Sequence, residues 1–111
     1  MAALLDPSGT QTELRTTPLP TALALSNPFP NPTDGSVALT LDLPKDSQVG
    51  FDVFDIQGRV VWGAESRAYN AGHWTLRWDG MTSRGHAGAG IYLARVKVNG
   101  QTLMRRFAVV R

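Results

Sequence analysis

A chain of 111 residues, 42% hydrophobic and 18% charged, is long enough for one soluble domain and too short for two. Its 11 basic and 9 acidic residues give a formal net charge of +2, which is too small to indicate nucleic-acid binding. Because the chain has no cysteine, disulfides and thiolate metal sites are excluded, and no apolar run approaches the roughly 18 residues that a membrane helix needs.

The first 22 residues differ in composition from the rest of the chain. They mix proline, threonine, serine and glycine without a sustained hydrophobic period, so residues 1–22 are predicted to be a flexible linker or a non-native tail. From Leu23 onward, alternating apolar runs are separated by turn residues, and no 3.6-residue period persists. Residues 23–111 are therefore predicted to form one all-β domain.

The first strands and their connection can be placed from local pattern. A short strand is predicted over residues 23–26. The three prolines in residues 27–32 lack backbone donors, so we expect an extended, unpaired crossing there. The next strand, residues 37–43, alternates apolar residues with others and ends at Pro44, as a half-buried strand does.

Three further strands follow. Residues 49–53 alternate in the same way, and residues 55–58 predict a tight turn with Asp first and Gly fourth, after which residues 59–62 return as the hairpin partner. Residues 70–72 form another turn. They precede a strand over residues 73–78, in which every second residue is large and apolar.

The C-terminal region is predicted to end in a hairpin. A glycine-rich loop over residues 81–90 leads into two strands joined by Asn99-Gly100, and Asn-Gly is the strongest short hairpin signal because both positions of a type I′ turn need positive φ. Short strands at roughly ten-residue spacing predict an immunoglobulin-like β-sandwich of about seven antiparallel strands.

The tryptophans raise the possibility of a carbohydrate-binding face, because flat aromatic rings stack on sugars. Trp74 and Trp78 share their parity with Leu76, so both are predicted to lie in the core. Trp62 ends a predicted strand beside Gly63, and it is the one tryptophan that we consider as a possible exposed aromatic.

No arrangement of residues indicates catalysis or metal binding. The side chains that such chemistry would use are spread along the chain: Asp52, Asp55, Ser66, His73, Asp79, Ser83 and His86. Asp55 and Asp79 stand at turn positions where aspartate has a local backbone role, and the two histidines lack further ligands at metal-site spacing. We therefore predict a non-catalytic protein without a cofactor or metal.

The chain ends in a cluster of arginines within the last predicted strand. Arg105, Arg106 and Arg111 have two interpretations. They are either solvated residues of an edge strand, where charge discourages aggregation, or a recognition surface.

Five blocks of sequence in order resemble one known family. They are LSNPFPNPTDG (25–35), VFDIQGRVV (53–61), AGHWTLRWDG (71–80), GIYL (90–93) and RFAVVR (106–111). The family is the C-terminal sorting domain of type IX secretion substrates, which is similar to the immunoglobulin-like domain of the flagellar hook-capping protein FlgD. Its last block usually begins with lysine or arginine and closes with a basic residue, and Arg106 and Arg111 match those positions.

This resemblance implies a fold, partners and a location. Such domains resemble seven-stranded sandwiches at the C-terminus of secreted proteins, are recognised by the outer-membrane secretion machinery, and are often removed by a sortase-like step as the upstream passenger domain is anchored. The implied location is secreted or at the cell surface, reached through the periplasm, without membrane insertion. The C-terminal strand would be presented by edge addition, in which main-chain hydrogen bonds give affinity. Arg106 and Arg111 are the sorting residues that the resemblance implies, and Arg105, beside Arg106, is taken with them as a candidate sorting or recognition residue.

Two alternatives stay open at this point. The domain would be a structural stalk or assembly scaffold of the hook-capping type, or a carbohydrate-binding module that uses Trp62.

Overall fold

Two antiparallel β-sheets pack face to face in residues 18–111, which are the residues that the computed structural model describes. The strands are β1 Ala24–Leu25, β2 Val37–Leu43, β3 Ser47–Asp55, β4 Val60–Tyr69, β5 Gly72–Trp78, β6 Met81–Thr82, β7 Gly85–His86, β8 Gly90–Val98 and β9 Gln101–Val109. One sheet has the order β1-β2-β5 and the other has the order β4-β3-β8-β9, while β6 and β7 form a small separate hairpin. The predicted all-β sandwich is confirmed, with seven strands in the two large sheets.

The three-stranded sheet is built on β2. Every second residue from Val37 to Leu43 is buried, because these side chains point toward the opposing sheet. Strand β5 pairs with β2 in a register that sets Leu39 opposite Leu76 and Val37 opposite Trp78. The period-two pattern of the sequence therefore places both strands correctly.

The four-stranded sheet supplies the other half of the core. The facing residues Val49, Phe51 and Val53 of β3 and Val98, Val96 and Ala94 of β8 are all buried. On the edge strand β9, Phe107 and Val109 are 1% and 2% exposed. The last strand of the chain is thus part of the hydrophobic core.

Both predicted hairpin turns are present. The backbone N–H of Gly58 donates to the carbonyl of Asp55 at 3.0 Å, and Gly58 has a φ of 85°. Asn99 and Gly100 have φ values of 51° and 87°, as a type I′ turn requires.

Three aromatic rings form the centre of one end of the core. Trp78, Tyr92 and Phe107 lie with ring centroids 5.9 Å apart in each pair. The Trp78 indole N–H donates to the Met81 carbonyl, and the Tyr92 hydroxyl donates to the Gly88 carbonyl. Each buried polar atom therefore has a partner, which removes the cost of its desolvation.

The prediction that Trp74 lies in the core is wrong, since its side chain is 36% exposed. Parity specifies the face of the sheet correctly, but β5 is an edge strand, and no further strand covers this end of it within the described residues. The ring packs edge-on against Tyr69, and its N–H donates to the Asn70 carbonyl.

The proline-rich crossing is paired, contrary to the prediction. Phe29 exchanges two backbone hydrogen bonds with Ala38 of β2, and four residues later Thr33 pairs in parallel with Val109 of β9. The prolines alternate with residues that keep their N–H groups, so the segment can bond to one sheet and then to the other. The crossing segment therefore connects the two sheets through backbone hydrogen bonds.

Strand β4 is longer than the predicted return strand of residues 59–62. It continues to Tyr69 with two register shifts against β3, and most of its residues are exposed. The sequence of its second half lacks the apolar alternation from which strands are predicted. This part of β4 lies at the edge of its sheet, where a strand buries little of either face. Residues 18–111 include no helix long and apolar enough to cross a membrane.

Most of the predicted linker, residues 1–17, lies outside the described residues. Its last part, residues 18–22, approaches the three-stranded sheet. There the Pro18 carbonyl lies 3.2 Å from Nε2 of His73.

Candidate recognition site

Arg105 joins the two sheets along one side of the sandwich. It occupies a position on β9 that points inward, and its guanidinium reaches across to β1. Nη2 donates to the Leu25 carbonyl at 2.9 Å, and Nη1 donates to the Met104 carbonyl at 2.8 Å. The side chain therefore links the edge strands of the two sheets, β9 and β1, by a hydrogen bond.

Arg111 is bound to two loops at one end of the sandwich. Its Nε and Nη2 donate to the Ala87 carbonyl at 2.9 and 2.7 Å, and Nη1 donates to the Asp34 carbonyl at 3.0 Å. These bonds hold the last residue against the loop after β7 and the loop before β2. The guanidinium has used three of its donors within the fold.

Arg106 differs from the other two arginines. It lies on the outward-pointing side of β9, opposite Leu93 of β8, and it is exposed. Its guanidinium has no hydrogen-bond or acidic partner within residues 18–111. Of the three predicted recognition residues, two have structural roles, and Arg106 alone faces solvent without a side-chain partner in the part of the chain that the structure describes.

The outer edge of β9 is covered near the C-terminus. Asn31 Oδ1 accepts from the Ala108 N–H at 3.0 Å, the Thr33 N–H donates to the Ala108 carbonyl, and the Val110 N–H donates to the Thr33 carbonyl. A partner strand cannot add along this half of β9 without displacing the crossing segment. The expected presentation of the C-terminal strand by edge addition is therefore wrong for this stretch.

Trp62 is half-buried on β4. Its ring meets Phe51 edge-on, with centroids 5.1 Å apart. The remaining ring surface lines an open cleft of about 530 Å³ on the side of the sandwich between β4 and β5. Trp62 thus belongs partly to the core and partly to the surface.

Three of the carboxylates that catalysis could use, Asp52, Asp55 and Asp79, have partners within the fold. Asp52 pairs with Arg95 at 2.6 Å, and Asp79 accepts from a backbone N–H in the turn after β5. The backbone N–H and guanidinium of Arg59 lower the pKa of Asp55. These contacts give each of the three carboxylates a structural role in its strand or turn.

His73 is held on the outer face of the three-stranded sheet. Its Nδ1 lies 2.8 Å from Oδ1 of Asp42, and this carboxylate, with the Pro18 carbonyl at Nε2, raises the pKa of His73. Both neighbours are acceptors, so the imidazolium is the form that satisfies both contacts. Within residues 18–111 no three potential ligands converge on a metal position.

The FlgD Ig-like domain family model matches residues 26–102, which is more than half of the chain. The chain belongs to the FlgD Ig-like domain family. The immunoglobulin-like fold predicted from the sequence is therefore confirmed, and so is the resemblance at the level of this family. Domains of this family are typically non-catalytic.

Two solved structures are similar to this FlgD-like domain. Dimeric latent PorU from Porphyromonas gingivalis is 23% identical with a TM-score of 0.61, and the match covers 81% of this chain and 10% of PorU. FlgD from P. aeruginosa is 24% identical with a TM-score of 0.49, covering 84% of this chain and 76% of that one. No curated protein sequence matches the chain. The FlgD-like domain thus spans about a tenth of the PorU chain, and the likeness shows the fold.

Sequence reasoning missed the residues that cover β9. Asn31 and Thr33 bond to a strand more than 70 positions away, and local pattern carries no signal for that pairing. The sequence carries one indication of this role. Asn31 lies between two prolines, so its side-chain amide supplies a donor and an acceptor in a segment that is poor in backbone donors.

Proposed function

We propose that this FlgD-like domain is a non-catalytic C-terminal module that directs the export of a larger protein through the outer membrane and its anchoring at the cell surface. Its partners would be the outer-membrane secretion machinery and the upstream passenger domain, and the protein would pass through the periplasm. The observation that carries the proposal is the division among the terminal arginines. The fold uses Arg105 and Arg111, while Arg106, which opens the block that resembles the sorting signal, has no side-chain partner among the described residues 18–111.

Deleting the terminal block is a poor test of this function. Residues 106–111 include Phe107 and Val109, which are 1% and 2% exposed, so their loss opens the core as well as removing Arg106. A gain-of-function test avoids this difficulty. Residues 1–111 are fused to the C-terminus of a reporter that carries a periplasmic signal peptide, in a host with the type IX pathway.

We expect the fused reporter at the cell surface and the unfused reporter in the periplasm. Surface protease accessibility and periplasmic fractionation measure the two pools. Equal distribution of the two reporters would refute the sorting function.

The family match favours one second candidate, a structural scaffold of the hook-capping type. That match ends at residue 102, before the terminal block. This candidate predicts a reporter that stays in the periplasm, together with a flagellar or other assembly defect when the domain is deleted from its gene.

A further inference from the structure

The outer face of the four-stranded sheet is apolar toward the end at which β3 turns into β4 and β8 begins. Residues that point away from the core on this face include Phe54, Val60, Ile91, Leu93, Met104 and Arg106, which we call the outer patch. Val60 and Met104 are 57% and 43% exposed, and Phe54, Ile91 and Leu93 are half-buried. A sheet face open to water normally carries polar residues.

The opposite face of the sandwich shows that ordinary pattern. On the three-stranded sheet the outward residues of the β2–β5 ladder are mainly polar, including Thr40, Asp42, His73, Thr75 and Arg77. Both sheets meet the same core, so folding does not require this difference. The apolar composition of the outer patch points to a contact beyond the domain.

The register places Arg106 within this patch. Val60, Phe54, Leu93 and Arg106 lie in one row across β4, β3, β8 and β9, since each is the cross-strand partner of the next. Such neighbours lie about 4.5–5.5 Å apart at Cβ, so the arginine directly adjoins the apolar residues. The cation and the apolar surface therefore form one continuous site.

The charges of the face are unbalanced. Arg95 is neutralised by Asp52 at 2.6 Å, and its guanidinium lies 4.5 Å from the centre of the Phe54 ring. Lys97 and Arg106 also point outward, and neither has an acidic partner within residues 18–111. A complementary surface would carry carboxylates, because unlike charges across an interface favour the correct register.

We propose that the outer patch docks a protein surface on which carboxylates stand among aliphatic side chains. This inference rests on the proposed export function, and it assigns the partner to the secretion machinery. Binding takes place on a sheet face that spans four strands, not along the C-terminal edge of β9, which Asn31 and Thr33 cover.

The reporter fusion with residues 1–111 provides the test. Arg106→Glu reverses the charge, Leu93→Glu places a charge among the apolar residues, and Arg106→Lys keeps the positive charge. Thr75→Glu is the matched control, because Thr75 is exposed on the outward side of β5 in the other sheet. We expect the two glutamate variants of the patch to lower the surface-to-periplasm ratio about tenfold or more, as loss of a central interface residue does. Arg106→Lys and Thr75→Glu should match the wild type.

Each outcome has one meaning. If the wild-type fusion stays in the periplasm, the export function is refuted and this inference with it. If the wild-type fusion reaches the surface and Arg106→Glu and Leu93→Glu do as well, the outer patch alone is refuted. An equal loss with Thr75→Glu also refutes it, because the effect is then not specific to this face.

Two measurements on the purified 111-residue chain exclude other causes. Thermal unfolding shows whether each variant is folded. If Leu93→Glu is destabilised, the result for Arg106→Glu decides the test, because Arg106 is exposed and its replacement leaves the core intact. Sedimentation velocity shows the oligomeric state. A dimer that Leu93→Glu dissociates would assign the patch to a second copy of the chain and overturn the proposal.

Discussion

Gly80→Ala is expected to destabilise the domain strongly, for two independent reasons. Gly80 has a φ of +82°, and a left-handed conformation costs an alanine about 1–2 kcal/mol. An added Cβ would also lie 2.8 Å from the backbone carbonyl carbon of Gly35 and 3.0 Å from its Cα. Backbone atoms cannot rotate away, so overpacking adds about 1–3 kcal/mol. The total of about 2–5 kcal/mol is a large part of the stability of a small domain.

Gly58→Ala separates the two terms. Gly58 has a nearly equal φ of +85°, but no atom lies within 4 Å of its added Cβ. Only the conformational cost applies, so we expect a loss of about 1–2 kcal/mol. Urea unfolding followed by tryptophan fluorescence gives the free energy of unfolding of both variants. Equal losses would show that the close approach of Gly35 and Gly80 does not constrain the fold.

The remaining predictions concern the arginines and the histidine. Arg105→Ala should lower the free energy of unfolding by about 1–2 kcal/mol, because it leaves the Leu25 carbonyl without its donor, whereas Arg106→Ala should change it by less than about 0.5 kcal/mol. Urea titrations compare them, and similar values would contradict the division of roles. The pKa of His73, followed by NMR, should lie above its ordinary value and fall toward about 6.5 in Asp42→Asn. The stabilisation from this contact is complete below about pH 6.5 and disappears as the pH rises through the raised pKa of His73 in the folded state. An unchanged His73 pKa in Asp42→Asn would refute the contact.

Local pattern predicted the parts of the fold that depend on near neighbours. The alternation in β2 and β3, the Asp55 turn and the Asn99-Gly100 turn are confirmed, because each depends on strand period or on backbone preference within four residues. Trp74 shows the limit of this reasoning. The two-residue period of a strand fixes the side of the sheet to which a side chain points. Whether that side chain is buried also depends on whether another element extends over this part of the sheet.

The contacts that define the candidate site depend on distant parts of the chain. Arg105 reaches a carbonyl 80 positions away, and Asn31 covers an edge 77 positions away. Neither pairing has a local signature, since it depends on which edge strands meet when the two sheets pack. The sequence therefore identifies the terminal arginines as a group, and only the assembled sandwich shows that Arg106 differs from the other two.

The sequence of β8 supports a covered outer face independently of the arginines. Its first half reads Ile91, Tyr92, Leu93, Ala94, so apolar residues occupy both parities, whereas Arg95 and Lys97 restore the alternation in its second half. Continuous apolar runs are typical of strands that are covered on both faces. In residues 18–111 only the inner face of β8 is packed against another sheet. The outward residues Ile91 and Leu93 lie next to Arg106 in the outer patch, which is where a partner surface would complete the burial that this run of residues favours.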